Sequence, residues 1–265
     1  MKRWRAFTAL SLVVVLVSAA LALTGEDLSR YVVQERLSGS MFLSPQTRAQ
    51  QSDEFANPGM LWVGQGQRLW STAAGSAESC LGCHGDAAQS MRGVAARFPA
   101  FDRGERRVIN LEKRINSCRV NKQHLDPLAY ESQELLALTA FISRQSQGMP
   151  VAVSVNGPAT RSFERGRAAF YRPRGQLDMS CAACHQERTG ARLRGEVISQ
   201  GQINGHPVYR QLWQTMASTH RMFAWCNEAV RAEPYAFGSQ EYVDLELFVK
   251  WRGSGLPVET PAIRR

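Results

Sequence analysis

Cys80-Leu81-Gly82-Cys83-His84 and Cys181-Ala182-Ala183-Cys184-His185 are the two stretches on which the reading of this 265-residue chain turns. In each, the turn between the two cysteines sets their separation and a histidine follows directly. Thiols so spaced add across the vinyl groups of a haem, and the adjacent imidazole falls onto the iron. One such pentapeptide arises by chance often enough to mean little. Two, in one chain, predict two covalently attached c-type haems on Cys80, Cys83, Cys181 and Cys184, with His84 and His185 as iron ligands. A zinc site would have to join cysteine pairs about a hundred residues apart, unlike the short loops of zinc ribbons. A thioredoxin-like redox site needs a βαβ context that is absent.

The flanks of the two motifs repeat. Gly66-Gln67-Arg68-Leu69-Trp70 precedes the first and Gly166-Arg167-Ala168-Ala169-Phe170 the second, each a glycine followed four residues later by a large aromatic. Downstream, Glu134–Ile142 and Tyr242–Val249 carry apolar residues at helical spacing. Phe141 is followed by Gly148 and Pro150, and Phe248 by Gly255 and Pro257, at the same offsets, which is helix-stop chemistry. Each half reads as an N-terminal helix, a haem motif, a long irregular stretch and a C-terminal helix. The expected fold is therefore mainly α, with two tandem cytochrome c-type domains related by internal duplication. The boundary is expected within Gly148–Pro158: residues 23–150 form the first domain with an N-terminal extension, and 151–265 the second.

Residues 1–22 read as a secretory signal peptide. Lys2, Arg3 and Arg5 precede an apolar stretch that ends in the small-x-small site Ala20-Leu21-Ala22. Cleavage would leave a mature chain with no membrane span, exported to the periplasm. It would also lower the formal charge from +9 to +6, and the haem propionates would lower it further. That mild basicity, with no dense Lys/Arg run, gives no sign of a nucleic-acid role.

Four of the six cysteines are used by the motifs, leaving Cys118 and Cys226, one per half and at matching distances before Phe141 and Phe248. The second axial ligand of a cytochrome c domain comes from this region. Met149 is matched by Leu256, which cannot ligate iron. Met216 and Met222 have no methionine counterpart between Val94 and Gly148, and His124, His206 and His220 are the remaining histidines. From spacing, Cys118 and Cys226 are iron ligands, a disulfide joining the halves, or buried thiols. A thiolate ligand would stabilise Fe(III) and depress the potential.

The stretch His220-Arg221-Met222-Phe223-Ala224-Trp225-Cys226-Asn227 with Val230-Arg231-Ala232-Glu233-Pro234-Tyr235 resembles the SoxA family, catalytic subunits of the SoxAX cytochromes of bacterial thiosulfate oxidation. Arg114-Ile115-Asn116-Ser117-Cys118-Arg119 and the ending Pro261-Ala262-Ile263-Arg264 agree with it. The resemblance implies His84 and Cys118 on the first iron, and His185 and Cys226 on the second, with Cys226 also catalytic and carried as a persulfide. It implies an L-cysteine S-thiosulfotransferase that joins thiosulfate to a cysteine of the carrier SoxYZ and releases two electrons, with the monohaem subunit SoxX completing the complex. Thiosulfate is a dianion and calls for a cation. Arg221 is the candidate substrate-binding residue, with Arg231 behind it, because the family's arginine four residues before the cysteine is Met222 here. A dihaem electron carrier and a thiosulfate dehydrogenase forming tetrathionate are the rival functions.

Overall fold

The structure, a computed structural model, describes residues 27–193 and 195–265; the expected signal peptide at 1–22 lies outside them. The described α-helices are α1 (Pro45–Ser52), α2 (Met60–Ser71), α3 (Cys80–His84), α4 (Ala87–Ser90), α5 (Leu111–Asn121), α6 (Gln133–Arg144), α7 (Thr160–Tyr171), α8 (Cys181–His185), α9 (Thr219–Ala229) and α10 (Gln240–Arg252). Most start by the same chemistry. The side chains of Ser44, Ser79, Asn110, Ser132, Ser180, Ser218 and Ser239 each accept a bond from the backbone N–H three residues on, satisfying a donor that the helix leaves unpaired.

Strands are short. β1 (Val32–Val33) pairs with β2 (Arg36–Leu37), β3 (Ala100–Asp102) with β4 (Arg107–Ile109), and β5 (Arg192–Leu193) with β6 (Glu196–Val197), all antiparallel. β7 (Val208–Arg210) lies between β8 (Thr215–Ala217), antiparallel to it, and β9 (Ala262–Arg264), parallel to it. The fold is mainly α, as the sequence leads one to expect.

In each half the helix before the haem motif crosses the C-terminal helix of that half, α2 on α6 and α7 on α10. The glycines flagged in the sequence stand at these crossings. A Cβ on Gly66 would lie 2.1 Å from the Ala137 carbonyl oxygen and 2.6 Å from Phe141 Cβ. One on Gly166 would lie 1.9 Å from the Asp244 carbonyl oxygen and 3.0 Å from Phe248 Cβ. One turn on from each glycine the aromatics meet: Trp70 and Phe141 at 5.9 Å between ring centroids, Phe170 and Phe248 at 5.3 Å.

The stop signals do more than end helices. Gly148 and Gly255 both adopt positive φ, of 74° and 86°. From there the two Gly-x-Pro turns bond to each other reciprocally. Gly148 N–H donates to Val258 and Gly255 N–H to Val151, while Val258 N–H donates to Met149 and Val151 N–H to Leu256, all at 2.9 Å.

Two arrangements were not expected. The spacing of α10 reads as one apolar face, yet every residue from Tyr242 to Val249 is buried, Asp244 and Glu246 included. The reason is position: Phe248 and Leu245 face the core of the second half, while Val243 and Leu247 pack with Val108 and Val153. The N-terminal extension, for its part, bonds to the second half of the chain. Leu37 N–H donates to Gln200, Asn204 Nδ2 to Ser38 Oγ, Ser40 Oγ to Glu259, Asn57 Nδ2 to the Pro261 carbonyl, and Ile263 N–H to Gln51 Oε1.

The crossings make a test of sign within one helix. Gly66→Ala forces backbone apart and should lower stability by about 1–3 kcal/mol or more. Gly64→Ala, two residues away with only the Arg68 side chain near, should raise it by about 0.5–1 kcal/mol. Denaturant titration of the two variants checks both.

Candidate functional site

Each CxxCH is a single capped turn. Ser79 and Ser180 hold the first N–H groups of α3 and α8, so the two thiols of each motif share one side of a fixed turn. His185 shows how its ring is set. Its Nδ1 lies 2.9 Å from the Ser199 carbonyl oxygen, which can only accept, so Nδ1 carries the proton and the Nε2 lone pair is left for a metal. Burial holds this imidazole below the usual histidine value, in the neutral form a ligand requires. His84 has Trp70 beside its ring at 5.6 Å, and Trp70 Nε1 donates to the Gly85 carbonyl, locking that pair. All six cysteines are unpaired, and among the described residues no three His, Cys, Asp or Glu side chains converge as a zinc site demands. The donor set fits haem attachment.

Cys118 and Cys226 occupy the same place on two matching helices. Each stands eight residues past its cap, Asn110 for α5 and Ser218 for α9. Each is carried to its own motif: Cys118 acts electrostatically on Cys80, and Cys181 and Cys184 act on Cys226. The two leftover cysteines are free thiols, which disposes of the disulfide. The methionines are packing residues. Met149 lies against Gly93, Met216 is fully buried in the first core, and Met222 packs on the cluster of Val208, Ala217 and Ala262. The ring nitrogens of His206 are buried and the imidazole is held neutral, pushed down to about 3 by that burial and by Arg264 and Lys250. His124 is exposed.

Arg221 is on α9 with Cys226, but its guanidinium lies 4.4 Å over the Trp213 ring and 4.0 Å from Glu131. The arginines grouped around the second motif are others that the sequence does not mark. Arg174 donates to Asn227 Oδ1 and to the Glu233 carbonyl. Arg252 lies over Phe170 and donates to the Gln200 carbonyl. Arg210, at the end of β7, is only 2% exposed and is the cation that opposes burial at the Cys226 sulfur, whose thiol burial pushes up to about 12. Arg210 belongs to no motif; only its packing reveals it.

Away from the sulfurs, a buried polar cluster ties α5, α9 and α10 together. Asn110, the cap of α5, donates through Nδ2 to Glu246 Oε2 at 3.2 Å, and His220 Nε2 lies 3.0 Å from the same oxygen. Gly238 N–H donates to His220 Nδ1, so the imidazole proton is on Nε2, facing Glu246. Tyr130 stacks flat on His220 at 5.8 Å and donates to Asn110 Oδ1. Glu112, one residue into α5 from its start, is buried in the same cluster, and burial with the neighbouring Glu246 and Glu131 charges pushes it up to about 8. Lys250 opposes that rise and is itself brought down to about 8 by burial. Burial thus favours the protonated form of Glu112, which avoids the cost of a buried charge.

The chain resembles known proteins over most of its length. Residues 65–151 match the family model for the SoxA/TsdA cytochrome c domain. The L-cysteine S-thiosulfotransferase subunit SoxA of Pseudaminobacter salicylatoxidans is 44% identical, over 87% of this chain and 82% of that one. The corresponding subunit of Rhodovulum sulfidophilum is 38% identical, over 86% and 79%. The crystal structure of SoxXA from P. pantotrophus superposes with a TM-score of 0.84 at 37% identity, covering 86% of this chain and 87% of that chain.

The cluster predicts a pH dependence. A carboxyl whose folded value is raised stabilises the fold fully below its ordinary 4.5 and loses that contribution as pH climbs through about 8. Glu112→Gln removes the titration, so its stability relative to the parent should be level in acid and climb between those limits. Thermal midpoints taken across that range check it; a flat difference would contradict the placement of Glu112.

Proposed function

The chain belongs to the SoxA family, and on that premise we propose that it is the sulfur-transferring subunit of an L-cysteine S-thiosulfotransferase with two c-type haems. Cys80, Cys83 and His84 would hold one haem and Cys181, Cys184 and His185 the other, with Cys118 and Cys226 as the second axial ligands. The haems supply an electron sink and a metal that keeps a bound sulfur deprotonated. A carrier cysteine thiol and thiosulfate would join through a new S–S bond, releasing the thiol proton and two electrons. The observation that carries this reading is the placement of Cys226 on α9, brought to the second motif and fixed from behind by the α10 cluster.

The residues of this chain have separable tasks in that scheme. Cys226, carried as a persulfide, exchanges sulfur by thiol–disulfide steps. Ser199 holds the proton on His185 Nδ1 and fixes the ring plane. Asn110, Glu246 and His220 hold α5 and α9 in register. Arg221 is retained as a substrate-binding candidate on its charge and its place on α9. The first half, with Cys118 half-buried on α5, serves as an electron relay or a structural unit.

The partners follow from the same premise: a SoxX monohaem subunit, a SoxYZ carrier and thiosulfate. The SoxXA structure from P. pantotrophus, matched over 86% of this chain, supports the first of these. Among the described residues no helix is long and apolar enough to cross a membrane. With the N-terminal signal-like segment, that fits a periplasmic protein cleaved after residue 22. The reciprocal ladder between the two Gly-x-Pro turns and the paired glycine crossings support two tandem units, 23–150 and 151–265, descended from one duplicated sequence.

Intact mass of the mature protein should show two haems, and peptide mapping should find one additional sulfur on the peptide containing Cys226. Cys226→Met should reduce carrier-dependent thiosulfate oxidation to background while both haems stay attached. Unimpaired turnover in that variant would favour a passive electron carrier, and tetrathionate formed without carrier protein would favour a thiosulfate dehydrogenase.

A further inference from the structure

Beside Cys226 the structure builds a cluster of unusual composition. Trp225, the residue before it, meets Trp213 edge to face, with ring centroids 6.2 Å apart at 81°. The Arg210 guanidinium sits over both, 4.7 Å from the Trp225 ring and 5.5 Å from that of Trp213. It comes from the central strand of the three-stranded sheet, paired with Thr215 on one side and Arg264 on the other, so its backbone is fixed. The Glu196 carboxylate, from β6, takes the terminal edge: Nη2 lies 3.1 Å from Oε1 and Nη1 donates to Oε2 at 3.4 Å.

A guanidinium has five N–H donors in a rigid fork, and here Glu196 takes a hydrogen bond from Nη1 alone. Arg210 Nε and Nη2 are buried and have no hydrogen-bond partner among the described residues, although Nη2 lies at ion-pair distance from Glu196. A buried cation of this kind with donors unspent is costly unless an acceptor arrives to take them. The tryptophan faces hold the plane by cation–π attraction and exclude water, which strengthens any charge contact made there. Glu196 prevents the cluster from carrying a full uncompensated charge in the resting state.

From this geometry we propose that Arg210 binds the sulfonate end of the sulfur oxoanion that reacts at Cys226, using its Nε–Nη edge, with Trp213 and Trp225 as walls and Glu196 as the counterweight that tunes affinity. The inference rests on the thiosulfotransferase reading above and adds a specificity residue to it. A tetrahedral sulfonate presents three equivalent oxygens, so two parallel N–H···O bonds form without demanding one rotation of the anion. Arg221, on the same helix as Cys226, lies 4.4 Å over the Trp213 ring and 4.0 Å from Glu131, and adds positive field beside Arg210.

The test uses the haem-loaded protein with its partner subunit, and thiosulfate itself as the probe. Equilibrium binding is read from perturbation of the ferric haem spectrum, and steady-state rates with the carrier protein give KM and kcat separately. Arg210→Gln should weaken thiosulfate binding and raise KM together, by about 10–100-fold, with kcat changed far less. Arg210→Lys, which keeps charge but loses the fork, should fall between. Glu196→Gln, which leaves Arg210 in place and removes its competing charge, should tighten thiosulfate binding several-fold, and it reports even where Arg210→Gln fails to fold. Binding within twofold of the parent in Arg210→Lys and Glu196→Gln, or a loss confined to kcat, would overturn the assignment. A parent protein that neither binds nor turns over thiosulfate would instead sink the functional reading on which the assignment rests.

Discussion

The reciprocal ladder between Gly148–Val151 and Gly255–Val258 is the contact on which the arrangement of the halves depends. Four backbone bonds of 2.9 Å join two turns that each follow a C-terminal helix. Because the turns are locked to one another, α6 and α10 leave the ladder in a fixed relation. The glycine crossings then fix α2 on α6 and α7 on α10, since a backbone-to-backbone approach with no intervening Cβ leaves almost no freedom of sliding. The haem motifs follow α2 and α7 in the chain, so their positions descend from the ladder through two rigid steps.

Cys118 and Cys226 are placed by a different device. Their helices are not part of the crossings, and both are anchored at their starts, eight residues before the cysteine. A single carboxylate oxygen, Glu246 Oε2, faces Asn110 at one anchor and His220 near the other. Burying that oxygen is tolerable because Asn110 donates to it, His220 Nε2 lies 3.0 Å away, and burial favours the protonated form of the neighbouring Glu112. The two sulfur-bearing helices therefore share one reference point within α10, which is why that helix is buried on every side.

Much of this was legible in the sequence. The CxxCH pentapeptides, the Gly-to-aromatic spacing and the Gly-x-Pro stops are short-range signals, and each maps onto a local structure: a capped turn, a crossing, a left-handed glycine. The matched positions of Cys118 and Cys226 were legible for the same reason, since equal offsets from equal helix caps survive in numbering. What spacing could not carry was contact between distant segments. The polar residues of α10 look like a solvated face until its neighbours are known. Arg210 sits in a three-residue strand with no motif, and its meaning comes from Trp213, Trp225 and Glu196, brought in by separate elements. Arg221 is close in number to Cys226, but its contacts with Trp213 and Glu131 come from other elements and have no signal in the numbering.

The bonds between the N-terminal extension and the strand β9 also give two parts of the molecule very different kinds of support. Gln51 bonds to Ile263, Asn57 holds the Pro261 carbonyl, and β9 is in turn the parallel neighbour of the strand bearing Arg210. The segment between these partners contains both CxxCH motifs. The outer strand beside Arg210 is therefore secured by contacts between residues 204 and 212 positions apart, whose closure carries the larger loop entropy. The turns that carry the haem motifs rest instead on serine caps three residues away, so the wall of the site is the long-range part of the fold and the haem anchors are its local part.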